Sequence, residues 1–190
     1  MSSSSSPEQY VFGYGSLAAA AAATAVANGG HVAELRGHRR RWGVAMDNAR
    51  DLPGYKWYRL RATGERPQAF VAFLDVVPGD GAVNGLCLPV DAAALRRLDA
   101  RERNYDRVDV TERVAGARGR VWTYVGSAAG RARLARGVRE RRTLVSQEYL
   151  DDVEHGFRAL GADALAAYRA STDPPPAGCE VVALERIDLP

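Results

Sequence analysis

The sequence predicts one domain of the α+β (mixed α/β) class, and three observations carry that expectation. Two nearly uninterrupted apolar runs, Gln68 to Val77 and Val83 to Val90, have the length and composition of buried strands. Two segments, opening at Asp91 and at Ser146, place apolar residues at helical spacing behind a capping side chain. No internal repeat or linker divides the 190 residues, and 46% of them are hydrophobic, enough for a substantial core. The domain is expected to span residues 10 to 190, behind a serine-rich, disordered tail of residues 1 to 9.

Taken in order, Tyr10-Val11-Phe12 is a short β-prone run that stops at Gly13, with a second glycine at Gly15. The alanine-rich stretch Ala18 to Ala27 has high helix propensity, and Asn28-Gly29-Gly30 supplies its stop. Val32 to Leu35 and Trp42 to Met46 read as strand on either side of the basic run, followed by an irregular loop from Asp47 to Tyr55. Pro78-Gly79-Asp80-Gly81 reads as the turn of an antiparallel hairpin between the two apolar runs. Asp91 caps a helix to about Arg101, Val108 and Val110 alternate, and Val121 to Val125 is a strand. Ser146 caps a helix whose Tyr149, Leu150, Val153, Phe157 and Leu160 share a face and which Gly161 ends; Leu165 and Tyr168 mark another. Pro174-Pro175-Pro176 forces an extended loop, with a last strand at Val181 to Leu184.

Composition narrows the function. The formal net charge is only +3, because 26 basic side chains nearly balance 23 acidic ones, so nothing marks a polyanion partner. The basic side chains are arginines, with Lys56 the single lysine; the cluster Arg131 to Arg142 carries Ala132, Leu134 and Ala135 between its charges, as a solvated helix face does. No aromatic residues interleave there to stack on bases, and no nucleic-acid partner is expected. Cys87 and Cys179 lie far apart, outside any zinc-ligand spacing, and suit a reducing cytoplasm. The apolar run Leu17 to Ala27 is too short to span a bilayer, so no membrane association is expected.

Two features carry chemistry. In Gly13-Tyr14-Gly15-Ser16 the glycines let the backbone approach a ligand, and the following helix directs free amides outward, a fit for a carboxylate; the same pattern also serves as a purely structural turn. No Gly-Lys-Ser or Gly-Lys-Thr follows, which disfavours phosphate. In the helix from Asp91 to Glu102, Leu95, Leu98, Asp99 and Glu102 fall on one face, so two carboxyls share the side expected to meet the core. A carboxyl desolvated there has its pKa raised toward neutrality, suiting proton transfer; alternatively Glu102 pairs with Arg101 or Arg103. Asp99 reads as structural, and His31, His38 and His155 have no ligand-like spacing.

Together and in this order, three stretches resemble the gamma-glutamyl cyclotransferase family, including its glutathione-specific branch and the plant avirulence-induced-gene-like proteins. They are Val11-Phe12-Gly13-Tyr14-Gly15-Ser16-Leu17, Leu98-Asp99-Ala100-Arg101-Glu102 followed by Tyr105, and Val121-Trp122-Thr123-Tyr124. Leu35 to Trp42 and Ser146 to Gly161 add weaker matches, and the segment Arg39 to Trp42 resembles a substrate-facing one in the glutathione-specific branch. The resemblance implies a small mixed β-barrel surrounded by helices. Its cavity would be lined by the Tyr-Gly-Ser-Leu turn and by one essential glutamate, at Glu102.

The implied substrate is a small γ-glutamyl compound that brings its own nucleophile, an α-amine placed to close a five-membered ring on the γ-carbonyl. The amides of Gly15, Ser16 and Leu17 would hold the carboxylate or oxyanion, Glu102 would move the protons, and Tyr105 and Tyr14 would offer hydroxyl contacts, Tyr105 foremost. The products would be 5-oxoproline and a free amine, amino acid or peptide, with no cofactor and no metal. The chain departs from some branches at Leu17, where they carry asparagine, and from many members at Arg103, where they have glycine. The released half and the oligomeric state stay open, as does the alternative of a non-catalytic ligand-binding or regulatory module on the same fold.

Overall fold

A computed structural model describes residues 9–189. The expected tail lies outside these residues except for Gln9, which opens the first strand rather than preceding it. In chain order the elements begin with β1 (Gln9–Gly13), α1 (Ser16–Ala21), β2 (His31–Asp47), β3 (Lys56–Leu60) and β4 (Phe70–Pro89). The middle of the chain holds α2 (Ala92–Arg101), β5 (Tyr105–Asp109), β6 (Arg120–Gly126), α3 (Ala128–Arg139) and β7 (Thr143–Ser146). The chain then forms α4 (Gln147–Ala159), α5 (Ala162–Ala170), β8 (Glu180–Val182) and β9 (Leu184–Asp188). Among the described residues no helix is long and apolar enough to cross a membrane.

The architecture is the mixed α+β one expected, with a seven-stranded mixed sheet and helices around it. Its strand path is β5-β6-β1-β4-β7-β8, and β2 lies along β4. β1 runs antiparallel to β4 (Phe12 opposite Cys87) and parallel to β6 (Tyr10 opposite Val121), which seats the end of β1 in the middle of the sheet. β3 and β9 form a separate antiparallel ribbon. The main core gathers Tyr10, Phe12, Leu35, Trp42, Phe70, Leu74, Leu86 and Phe157, all at or below 4% exposure, from both halves of the sheet and from α4.

Pro78-Gly79-Asp80-Gly81 does not reverse the chain. β4 continues through it as one strand of 20 residues, paired with β2 on both sides, from Asp47 opposite Phe70 to His31 opposite Cys87. The register jumps where Arg36 faces Ala82 and His38 faces Pro78, so Gly79, Asp80 and Gly81 are the extra residues of a bulge opposite Gly37. Pro and Gly serve a bulge as well as a turn, because both need a missing ladder bond or an unusual backbone; Gly81 has φ +115° and Gly37 φ +69°. Likewise β2 is one strand of 17 residues, and the basic run lies inside it.

The alanine helix stops early. After Ala21 the chain runs on in irregular turns that mix i−3 and i−4 bonds, with Thr24 N–H (3.0 Å) and Ala25 N–H (2.8 Å) both on Ala21 O. Propensity alone holds few alanines in a helix when only methyl groups are there to pack. What α1 supplies is closeness: a Cβ on Gly156 of α4 would lie 2.3 Å from Ala19 Cα. The two helix starts expected from capping residues are found, with Asp91 accepting from Ala94 N–H (2.6 Å) and Ser146 from Tyr149 N–H (3.3 Å).

The basic run divides by the alternation of the strand. Arg39 and Arg41 are exposed, Arg39 pairing with Asp173, while Arg40 and Trp42 are buried. Arg40, with no exposure, donates to the Asn84 carbonyl, to Ser171 and Thr172 hydroxyls (3.0 Å each) and to Tyr168 O (3.3 Å). Its guanidinium lies over Tyr168 and Phe157, 4.7 and 5.1 Å from their ring centres. Burial lowers its pKa to about 10, so the group stays charged at neutral pH. Arg40 thus ties α4 and α5 to the sheet, and Arg40→Ala, which strands several buried acceptors and opens a void, is expected to cost about 3 kcal/mol or more in urea unfolding.

Candidate active site

The turn after β1 is shaped by contact. A Cβ on Gly13 would lie 2.8 Å from Ala18 N, so the strand end and the start of α1 approach as closely as only glycine permits. Tyr14 turns inward, buried, and its hydroxyl donates to Tyr124 O at 2.6 Å. A Cβ on Gly15 would lie 3.2 Å from the Tyr149 hydroxyl oxygen, so the bare backbone there faces a side chain of α4. Ser16 is exposed and Leu17 half-buried against the cluster of Val11, Leu95 and Tyr124. The amides of Ser16 and Leu17 open α1 and have no intrahelical acceptor; among the described hydrogen bonds none uses them or the Gly15 amide.

Opposite stands Glu102, the C-cap of α2, with ψ +52°. Its carboxylate, one residue beyond the last residue of α2, lines a cleft. The expected sharing of one face is corrected: Asp99 is 41% exposed, pairs with Arg107 (3.1 Å) and accepts from the Tyr124 hydroxyl (2.8 Å), a structural role. Glu102 is 19% exposed, and Arg101 Nε donates to its Oε1 at 2.9 Å. Its surroundings are accordingly not the purely apolar ones expected; it faces the cleft and carries the ion pair as well.

The cleft, of about 560 Å³, is lined by Glu102, Ser16, Tyr105, Tyr149, Tyr55, Lys56 and Phe73, among others. A recess of about 40 Å³ opens beside it, lined by Phe12 to Leu17, Leu74, Glu102, Tyr105, Tyr124 and Tyr149. All six residues expected at the site, Tyr14, Gly15, Ser16, Leu17, Glu102 and Tyr105, meet at this recess. Tyr105 donates its hydroxyl to Leu74 O at 2.7 Å. Tyr14 and Tyr105 have thus spent their protons on backbone carbonyls, and their oxygens face the recess only as acceptors. Burial first, then the charge of Asp75 for Tyr14 and the neighbouring Tyr14 for Tyr105, pushes both hydroxyls well above the ordinary tyrosine range.

The Arg39 to Trp42 segment lines neither space. Trp42 packs edge-on against Tyr149, ring centres 5.9 Å apart, so it touches the site only through that residue. The arginines of α3 are less solvated than expected: Arg131 pairs with buried Asp75 (3.1 Å) and Arg133 donates to Ala45 O (2.8 Å) and Asn104 (2.7 Å).

Tyr149, Tyr124, Tyr55 and Lys56 are among the lining residues that the sequence did not place at the site. Tyr149 and Tyr124 belong to apolar stripes, and nothing in the pattern separates them from packing aromatics. Tyr55 closes a loop. Lys56 had a signal, its being the one lysine of an arginine-rich chain. Its ammonium lies 4.6 Å from the Phe73 ring centre and within 6 Å of those of Tyr55 (5.5 Å) and Tyr58 (5.8 Å). Burial, then the charge of Arg186, lowers its pKa to about 8, while Glu102 acts to raise it. Tyr55 is pushed up to about 12 by burial and next by Glu102.

Fold and cleft together define a small α+β domain whose polar recess is built on a strand-turn-helix junction. A model of the family described as "Gamma-glutamyl cyclotransferase, AIG2-like" matches residues 11–151, and the chain belongs to that family. Among solved structures it is similar to YkqA from Bacillus subtilis (TM-score 0.51, 16% identity) over 85% of this chain and 52% of that one, so it spans about half of that protein's length. It is also similar to the uncharacterized protein loc79017 from Homo sapiens (TM-score 0.51, 14% identity) over 88% of this chain and 89% of that one. At these identities the likeness concerns the fold. A comparison with curated proteins gives no match.

A single lysine makes the cleft's electrostatics measurable. With lysine-labelled protein, the one side-chain resonance is expected to titrate near 8. Glu102→Gln, which removes a charge that favours the ammonium, is expected to move that midpoint lower; an unchanged midpoint near the ordinary lysine value would contradict the geometry.

Proposed function

We propose that the chain is a gamma-glutamyl cyclotransferase acting on a small γ-glutamyl compound. The observation that carries this reading is that Glu102 and the turn Tyr14 to Leu17 line the same recess. The recess has room for one carboxylate-sized group and opens directly into a space large enough for the remainder of a dipeptide.

The donors and acceptors match a γ-glutamyl head, which carries an anion and a cation on one carbon. The amides of Gly15, Ser16 and Leu17 are donors for the α-carboxylate or for the oxyanion that develops on the γ-carbonyl. The Tyr14 and Tyr105 oxygens and the Glu102 carboxylate are acceptors for the α-ammonium. Glu102 takes a proton from that ammonium, and the freed amine attacks the γ-carbonyl carbon. As the new C–N bond closes the five-membered lactam and the bond to the released amine breaks, the two protons given up by the former ammonium, one taken by Glu102 before attack and one shed by the attacking nitrogen as the ring closes, pass to the departing nitrogen, which leaves as an ammonium. The products are 5-oxoproline and the amine, amino acid or peptide. Holding the substrate curled contributes on the order of several kcal/mol by proximity. The cytoplasm suits this chemistry and keeps thiols such as those of Cys87 and Cys179 reduced.

A second reading, a ligand-binding module without turnover, is favoured by one observation: the Arg101 guanidinium already occupies Glu102 Oε1. On the catalytic reading the other oxygen does the chemistry. The wild type is expected to release 5-oxoproline from a γ-glutamyl amino acid. Glu102→Gln is expected to lose about 100-fold or more in kcat with an unchanged fold, and Arg101→Ala to retain activity within about threefold. Binding without any release by the wild type would decide for the module.

A further inference from the structure

The wide part of the cleft collects cations. Its lining holds five, Lys56, Arg97, Arg101, Arg103 and Arg186, against two carboxylates, Glu102 and Asp188. Arg101 pairs with Glu102 and Arg186 with Asp188, which occupies both carboxylates. Lys56, Arg97 and Arg103 have no carboxylate partner among the described residues. Lys56 and Arg103 moreover share one platform, the Tyr55 ring, whose centre lies 5.5 Å from the ammonium and 5.3 Å from the guanidinium. An anion entering this space meets cations whose charge no carboxylate neutralises, and gains a charge-assisted hydrogen bond from the one it reaches.

The position selects which part of a substrate would supply the anion. Lys56 and Arg103 line the wide cleft and not the recess at the turn, whereas the γ-glutamyl head belongs with the turn. Glu102 lines both spaces and marks the boundary between the two halves of the substrate. We propose that Lys56 is the specificity-determining residue for the released half of the substrate, and that it selects γ-glutamyl amino acids and peptides, whose released half bears a carboxylate, over γ-glutamyl amines, whose released half bears none. This rests on the cyclotransferase reading above for the orientation of the head.

The aromatic surroundings explain why a lysine serves here. Tyr55, Tyr58 and Phe73 hold the ammonium through their ring faces, which stabilise a cation without neutralising it, so its charge stays available to a ligand. A carboxylate neighbour in their place would hold the lysine equally well and leave nothing for a substrate. The burial that lowers the Lys56 pKa is a cost to the free site that a bound anion offsets.

The test uses a matched pair, γ-glutamyl-alanine and γ-glutamyl-ethylamide, which differ only by the carboxylate. The wild type is expected to favour γ-glutamyl-alanine about tenfold or more in kcat/KM, as one lost charge-assisted contact implies. Lys56→Met, which keeps the length and apolar stem, is expected to raise KM for γ-glutamyl-alanine about tenfold and to leave γ-glutamyl-ethylamide within about twofold. Lys56→Arg, which keeps the charge and guards against a folding defect in the methionine variant, is expected to retain the preference. Equal losses on both compounds in Lys56→Met, or equal use of both by the wild type, overturn the proposal. Calorimetric binding of the same pair to the Glu102→Gln protein separates this inference from the activity. Preferential binding of γ-glutamyl-alanine with no 5-oxoproline from the wild type removes the cyclotransferase reading and keeps the anion selectivity; equal binding of the two removes the selectivity.

Discussion

Asp75 has no exposure to solvent, and the arrangement around the recess depends on how its charge is satisfied. It accepts from the Gly126 amide at 2.6 Å and from Arg131 Nε at 3.1 Å, which fastens the end of β6 and the start of α3 to β4. β2 is pressed against the same carboxylate, since a Cβ on Gly43 would lie 2.5 Å from an Asp75 oxygen. A buried carboxylate without such partners costs several kcal/mol, so these four elements have little freedom to separate. The residue before it, Leu74, accepts the Tyr105 hydroxyl and lines the recess. The floor of the candidate site is therefore set by a structural charge that does not itself face the ligand space.

From that floor the chemistry follows a division of labour between backbone and side chains. The turn after β1 supplies backbone donors, the amides of Gly15, Ser16 and Leu17, beside the Ser16 side chain. Tyr14 and Tyr105 supply acceptors only, because backbone carbonyls have taken their protons. Glu102, at the end of α2, is the one ionisable carboxylate that lines both spaces. This pattern is what the proposed zwitterionic head requires.

How much of this was legible in the sequence varied with the physics behind each element. Helix starts were legible because a cap is a local event, decided by Asp91 or Ser146 and the next three residues. The turn at Gly13 to Leu17 was legible because close backbone approach leaves only glycine as a solution. Pro78 to Gly81 misled because a turn and a bulge need the same residues, and what decides between them is whether a partner strand continues past the spot; β2 does. The basic run misled for a related reason. Alternation within a strand sends Arg40 inward and its neighbours outward, but an arginine can be buried only where carbonyls, hydroxyls and two rings from distant segments receive it. Asp75 carried a local signal, an acid inside an otherwise apolar run, whereas Tyr149 carried none.

The central claim is that the substrate's own α-amine is the nucleophile, deprotonated by Glu102 while the turn amides hold the α-carboxylate or the developing oxyanion. The most direct measurement follows the isotope in γ-glutamyl-alanine labelled with 15N at the α-amine of the glutamyl half. The account predicts 5-oxoproline with the label in the lactam ring and unlabelled alanine released in equal amount. Release of labelled glutamate in place of 5-oxoproline would mean that water attacks the γ-carbonyl, and the account would be wrong.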